Sequence, residues 1–178
     1  MNYFEVFGLP KVLNFDLKAL ERTFHELSRK YHPDYFTAAP AEERQKALQM
    51  TATLNDAYRT LRHPVRRVEY LLEVEGFKPD GSKVPKSFLM EVFEINEQLE
   101  EVKAGNASKE QIAALRREIE ERAENFGSQL QAAAEEWDTL SSSGASDEKR
   151  KQQLSRLTDI LSESSYIRNL QQELEETS

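Results

Sequence analysis

Every proline of the chain lies in its first 85 residues, at Pro10, Pro33, Pro40, Pro64, Pro79 and Pro85. Proline lacks an amide hydrogen and its ring clashes with the preceding turn, so it breaks helix interiors. Beyond Pro85, therefore, nothing forbids long uninterrupted helices. The densest group of breakers, GFKPDGSKVPKS at 76–87, has turn chemistry and separates two apolar-periodic regions. It places a linker at 77–87, between one domain at 1–76 and a second at 88–178. Neither side carries a strand-like alternation of any length, so the expected fold is all-α.

In the first part, Asp16 is placed to cap a helix whose apolar residues are Leu17, Leu20, Phe24, Leu27 and Tyr31. Their 3-4-3-4 spacing makes one narrow helical stripe. His32 precedes Pro33, and the proline ring disfavours helical dihedrals at the residue before it, so the helix stops there. A second stripe, Ala47, Met50 with Thr51, Leu54, Ala57 with Tyr58, and Leu61, predicts an antiparallel partner of similar length. A short helical turn around Tyr3, Phe4 and Phe7 precedes the pair. A helix opened by Pro64 and carrying Val65, Val68, Leu71 and Leu72 follows it, with Gly76 suited to its C-terminal cap.

The second part has three stripes. Phe88, Val92, Ile95, Leu99 and Val102 form the first. Ile112, Leu115, Ile119, Ala123, Phe126, Leu130, Ala133, Trp137 and Leu140 form the second. Leu154, Leu157, Ile160 with Leu161, Ile167, Leu170 and Leu174 form the third. Short connections between long amphipathic helices predict an antiparallel three-helix bundle. Gly127 falls inside the second stripe, where glycine costs about 1 kcal/mol relative to alanine.

Charge divides the chain at the same place. Residues 1–76 hold eleven Lys/Arg and eleven Asp/Glu; the rest hold 24 − 11 = 13 against 32 − 11 = 21, and so carry the whole net charge of −8. Two parts of different electrostatics imply two different partners. An acidic second half argues against nucleic-acid binding, which needs basic surface to neutralise phosphates. No apolar run has the length to cross a bilayer, and the start MNYFEVFGLP lacks the basic and apolar regions of a secretion signal. With no cysteine there is no disulfide, thiolate nucleophile or cysteine zinc site, and a reducing cytoplasm fits best.

An enzyme is not expected. His25 and His32 share a helix face but lie about 10 Å apart by helical rise, too far to ligate one zinc with bonds near 2 Å. Neither a glycine-rich phosphate loop nor a Ser/His/Asp pattern stands out. No metal or cofactor is anticipated.

Within the first part, Lys18, Arg22 and Arg29 fall within roughly 40° of one another on a helical wheel, away from the apolar stripe. This basic ridge, extended by Lys30, leads directly into His32-Pro33-Asp34 at the turn between the paired helices. The motif, the helix order and the charge together resemble a J domain, the module of DnaJ-type co-chaperones, over residues 1–76. The resemblance implies that His32, Pro33 and Asp34, with Lys18, Arg22, Arg29 and Lys30, dock on a DnaK-class chaperone and stimulate its ATP hydrolysis. Tyr35 departs from the family pattern, in which a lysine is common at that position.

The segment SFLMEVFEINEQLEE at 87–101 has more apolar residues than its core stripe needs. Leu89, Met90 and Phe93 project about 100–200° from the stripe's centre, with Glu94, Glu97 and Glu101 beside them. An apolar centre with an acidic rim suits a basic protein partner. This segment, with NYFEVFGLP, TLRHPVRRVEYLL and YIRNLQQELEE, is similar to the HscB family of iron–sulfur co-chaperones essentially end to end. That resemblance implies recruitment of an HscA-like chaperone by the J domain and binding of an IscU-like cluster scaffold by the bundle. Leu89, Met90, Phe93, Glu94, Glu97 and Glu101 match the scaffold-binding helix, and Tyr166 an aromatic of the last helix. A J-domain co-chaperone delivering some other client is the alternative reading.

Overall fold

The described residues, 1–77 and 84–177 of a computed structural model, form helices with no strand among them. Asn2 caps α1 (Tyr3–Val6) in a reciprocal box with Glu5. Asp16 caps α2 (Leu17–Lys30), its carboxylate accepting from the Lys18 amide at 2.8 Å. His32 takes extended dihedrals ahead of Pro33, and a 3₁₀ turn, Pro33–Phe36, leads towards α3 (Ala41–Arg62). Pro64 opens α4 (Pro64–Val74), its missing amide hydrogen harmless at a first helical position. The 3₁₀ turn is beyond the reach of stripe analysis, because one turn carries no periodicity.

The first compact unit consists of Met1–Phe77 together with Trp137–Ala145. Its α2 and α3 form an antiparallel hairpin: Phe24 stacks on Tyr58 with ring centroids 4.2 Å apart, and nearer the tip Thr51 Oγ1 donates to the Tyr31 carbonyl at 3.0 Å. Leu20 is buried, whereas Phe24, Leu27 and Tyr31 are half-buried and Leu17 is exposed. Phe4, Leu54, Leu61 and Leu71 fill the interior, and Tyr3 stacks on Tyr70 at 4.3 Å. Trp137, which the apolar spacing assigns to the bundle stripe, is wholly buried in this unit, its indole N–H donating to the Lys11 carbonyl at 3.0 Å. Periodicity reports that a helix face is covered, not what covers it.

The second unit takes the described residues within Lys78–Glu136 and Ser146–Ser178. The first stripe is carried by two helices, α5 (Lys86–Glu91) and α6 (Phe93–Lys103), parted at Val92, whose φ of −95° and ψ of 5° leave the helical region. Val92 stays fully buried, so the stripe runs through the break unaltered. α5 begins inside the expected linker; residues 78–83 of that linker lie outside the described residues. Gly105, at φ +75°, closes α6 in a Schellman turn: its amide bonds the Val102 carbonyl and that of Asn106 the Glu101 carbonyl, both at 3.0 Å. α7 (Lys109–Ser142) and α8 (Asp147–Thr177) complete the architecture.

Leu99, Leu115, Ile119, Leu157 and Ile167 are almost fully buried in the bundle, and Ala123 is exposed despite its place in the stripe. The buried Gln153 amide donates to the Ala133 carbonyl at 2.7 Å, so this polar group is not left unsatisfied between α7 and α8. Surface pairs Lys103–Glu173 at 3.0 Å and Arg156–Glu136 at 2.8 Å bridge neighbouring helices, each worth about 0–1 kcal/mol. Among the described residues no helix is long and apolar enough to cross a membrane.

Candidate functional site

The hairpin tip is built by one proline. Pro33 holds His32 extended, and the Asp34 amide then donates to His32 Nδ1 at 3.3 Å. An imidazole that accepts at Nδ1 carries its proton on Nε2 when neutral, so the ring keeps a donor for a visiting group. His32 Nδ1 also lies 3.6 Å from Asp34 Oδ2. The two side chains are 54% and 84% exposed, and Tyr35 stands edge-on to the imidazole with ring centroids 6.2 Å apart. His25, Ser28, Arg29, His32, Asp34 and Tyr35 together line a surface depression of about 680 Å³. His25 lies outside the set of expected binding residues, although its position on α2, seven residues before His32, carries the signal.

Lys18, Arg22, Arg29 and Lys30 are all exposed along α2. Arg22 lies 3.6 Å from the carboxylate of Asp16, Arg29 Nε donates weakly to the His25 carbonyl at 3.4 Å, and Lys30 Nζ sits 5.4 Å from the centre of the Tyr31 ring. None of these contacts removes a charge from solvent, so the ridge remains a positive surface ending at the tip.

In the second unit, Leu89, Met90 and Phe93 are 42%, 79% and 58% exposed, the only large apolar side chains of that unit so open among the described residues. They bracket the Val92 break, with exposed Glu94, Glu97 and Glu101 along α6. Tyr166 is half-buried beneath this region: its ring meets Phe88 edge-on at 5.9 Å and its hydroxyl bonds Asn96 Oδ1 at 3.1 Å. Its hydroxyl is thus engaged inside the unit. On α8, burial pushes the Glu163 carboxyl above the usual range, and the charges of Asp159 and Glu91 act in the same direction.

One arrangement near the ridge has no counterpart in the sequence patterns. The loop that enters α2 is gripped from two sides. Asp138 accepts from the Leu13 and Asn14 amides at 2.6 and 2.8 Å and from the Asn14 side chain at 3.0 Å. Buried Arg67 donates to the carbonyls of Leu61, at 2.6 Å, and Leu13, and its guanidinium lies 4.4 Å from the centre of the Phe15 ring. Burial draws the Arg67 pKa below its ordinary value, the Asp138 charge opposing that shift. No spacing rule links residues 125 apart in sequence.

Over residues 84–175 the chain matches the family model described as the HSCB C-terminal oligomerisation domain. It is 37% identical over 142 residues to the co-chaperone protein HscB homolog of Vibrio cholerae serotype O1 (Classical Ogawa 395), covering 77% of this chain and 83% of that one. It is 40% identical over 118 residues to the HscB homolog of Vibrio vulnificus (YJ016), covering 65% of this chain and 69% of the relative. Chaperone HscB from Vibrio cholerae superposes with a TM-score of 0.71 at 30% identity, covering 98% of this chain and 96% of that structure. Human co-chaperone protein HscB shares the fold, with a TM-score of 0.67 at 22% identity over 98% of this chain and 81% of its own. A family model spanning half the chain, joined to curated relatives across most of their length, establishes that the chain belongs to the HscB family of co-chaperones.

Proposed function

We propose that the chain is a cytoplasmic adaptor of iron–sulfur cluster biogenesis with two binding faces and no reaction or resident cofactor of its own. Residues 1–76 act as a J domain: His32, Pro33 and Asp34 at the tip, with Lys18, Arg22, Arg29 and Lys30, engage an HscA-like DnaK-class chaperone. Such a domain raises ATP hydrolysis by binding one conformation of its partner better than the other. Residues 88–178 hold an IscU-like scaffold through Leu89, Met90 and Phe93 rimmed by Glu94, Glu97 and Glu101, with Tyr166 supporting that surface from below.

The observation that carries this reading is the exposure of the His32 and Asp34 side chains, 54% and 84%, at the end of a basic ridge in an HscB-family chain. A polar tip packed into the molecule's own interior would serve only to end a helix. Steady-state ATPase of an HscA-like chaperone, with and without scaffold, tests the proposal. Stimulation by the chain, increased further by scaffold, is the expected result. In a parallel pull-down, Leu89/Met90/Phe93→Ala should retain at least about tenfold less scaffold, since buried anchors of this kind dominate interface energy. Absence of stimulation removes the J-domain assignment, and capture of a different client in place of the scaffold replaces the second half of it.

A further inference from the structure

We infer that Asp138 is a positioning residue for the chaperone-facing helix α2, acting through the loop that enters it. This role rests on the J-domain reading above. Both backbone groups of Leu13 are engaged: its N–H by Asp138 at 2.6 Å, its carbonyl by the buried Arg67 guanidinium. The Asn14 amide goes to the same carboxylate at 2.8 Å, and the Leu13 side chain is buried. Two residues beyond Asn14, Asp16 caps α2 through the Lys18 amide, so the placement of Lys18 follows from that of the loop. At its other end α2 is tied to α3, where Thr51 Oγ1 bonds the Tyr31 carbonyl at 3.0 Å.

Such a design holds the ridge at both ends. Asp138 joins it from far along the chain, beside Trp137, whose indole bonds the Lys11 carbonyl at 3.0 Å and steadies the start of the same loop. Charged acceptors make amide hydrogen bonds roughly twice as strong as neutral ones. Removing the carboxylate frees two loop amides and lets the first turn of α2, with Lys18 and Arg22, sample positions that docking must then restrict. The tip itself is unaffected, because the tie between Tyr31 and Thr51 is independent of Asp138.

The full chain tests this with Asp138→Ala and the milder Asp138→Asn, which keeps one oxygen acceptor. In chaperone ATPase titrations, Asp138→Ala should raise the half-stimulating concentration about tenfold, equivalent to about 1.4 kcal/mol, and leave maximal stimulation unchanged. Asp138→Asn should raise it by a smaller factor. The effect should be non-additive with Lys18→Ala and additive with Lys30→Ala, a pattern that general loosening does not produce. Hydrogen exchange at Leu13, Asn14 and the first turn of α2 should accelerate, with protection across α3 retained. A folded Asp138→Ala protein with wild-type half-stimulation, or with unchanged exchange at those amides, overturns the inference. If Asp138→Ala fails to fold, the same readouts on Asp138→Asn decide it. If the wild-type chain gives no stimulation, the proposed function fails, and amide exchange alone settles the role of Asp138.

Discussion

The imidazole of His32 accepts the Asp34 amide at Nδ1, one bond nearer the backbone than the oxygen of a glutamine side chain, and keeps a ring N–H for a partner. His32→Gln is therefore expected to abolish chaperone stimulation while far-UV circular dichroism stays unchanged, because exposed substitutions usually alter stability by less than about 0.5 kcal/mol. A helical, fully stimulating variant would contradict the role given to the tip. Glu163 allows a test by pH. A carboxyl whose folded pKa is raised binds its proton more tightly in the native state, so the ionised form is a cost at neutral pH that fades as pH falls into the carboxylate range. Glu163→Gln should accordingly raise the thermal midpoint at pH 7 by about 1 °C. The advantage should vanish as pH drops towards the ordinary carboxylate range and the glutamate gains its proton. A gain that grew on acidification would reverse the sign and refute the burial argument.

At the scale of the helices, Gly127 lies in α7 without a positive φ, and a β-carbon added there would meet nothing within 4 Å. Gly127→Ala should add about 1 kcal/mol of stability from helix propensity alone, read as a thermal midpoint about 2–4 °C higher. No gain would mean that helix propensity does not govern stability at this position. Much at this scale is legible in the residues. The hairpin and the bundle follow from apolar stripes, and Leu89, Met90 and Phe93 stand out because the stripe beside them is already complete. The break at Val92 is not legible, since a buried residue keeps the period of the stripe whether or not its dihedrals are helical. Nor is the grip of Asp138 on Leu13: a single carboxylate on a helix rich in glutamates has no local signature, and its partner lies 125 residues away.

For the molecule as a whole, the charge balance separates the two faces proposed above as binding surfaces. Residues 1–76 are neutral in sum, 11 − 11 = 0, yet display a basic ridge, whereas the apolar patch lies in the part that holds the net −8. Exposed charges act over a Debye length of about 10 Å at 0.1 M salt and about 3 Å at 1 M. Increasing ionic strength over that range should raise the half-stimulating concentration for the chaperone and leave its maximal stimulation intact, because screened charges govern encounter more than the docked contact. Scaffold retention, proposed to rest on apolar burial, should fall less. Equal salt sensitivity of both would argue that the patch is held by its glutamate rim.

The first unit draws on two stretches of chain, ending at Phe77 and resuming at Trp137, which are 137 − 77 = 60 residues apart. During synthesis at about 5–20 residues per second, the later stretch leaves the ribosome about 3–12 s after the earlier one. Over that interval a nascent chain already displays His32-Pro33-Asp34 without the indole of Trp137 or the carboxylate of Asp138 in place. On the function proposed above, full affinity for the chaperone would then wait until much of the bundle sequence has been translated, which would delay engagement by an unfinished polypeptide.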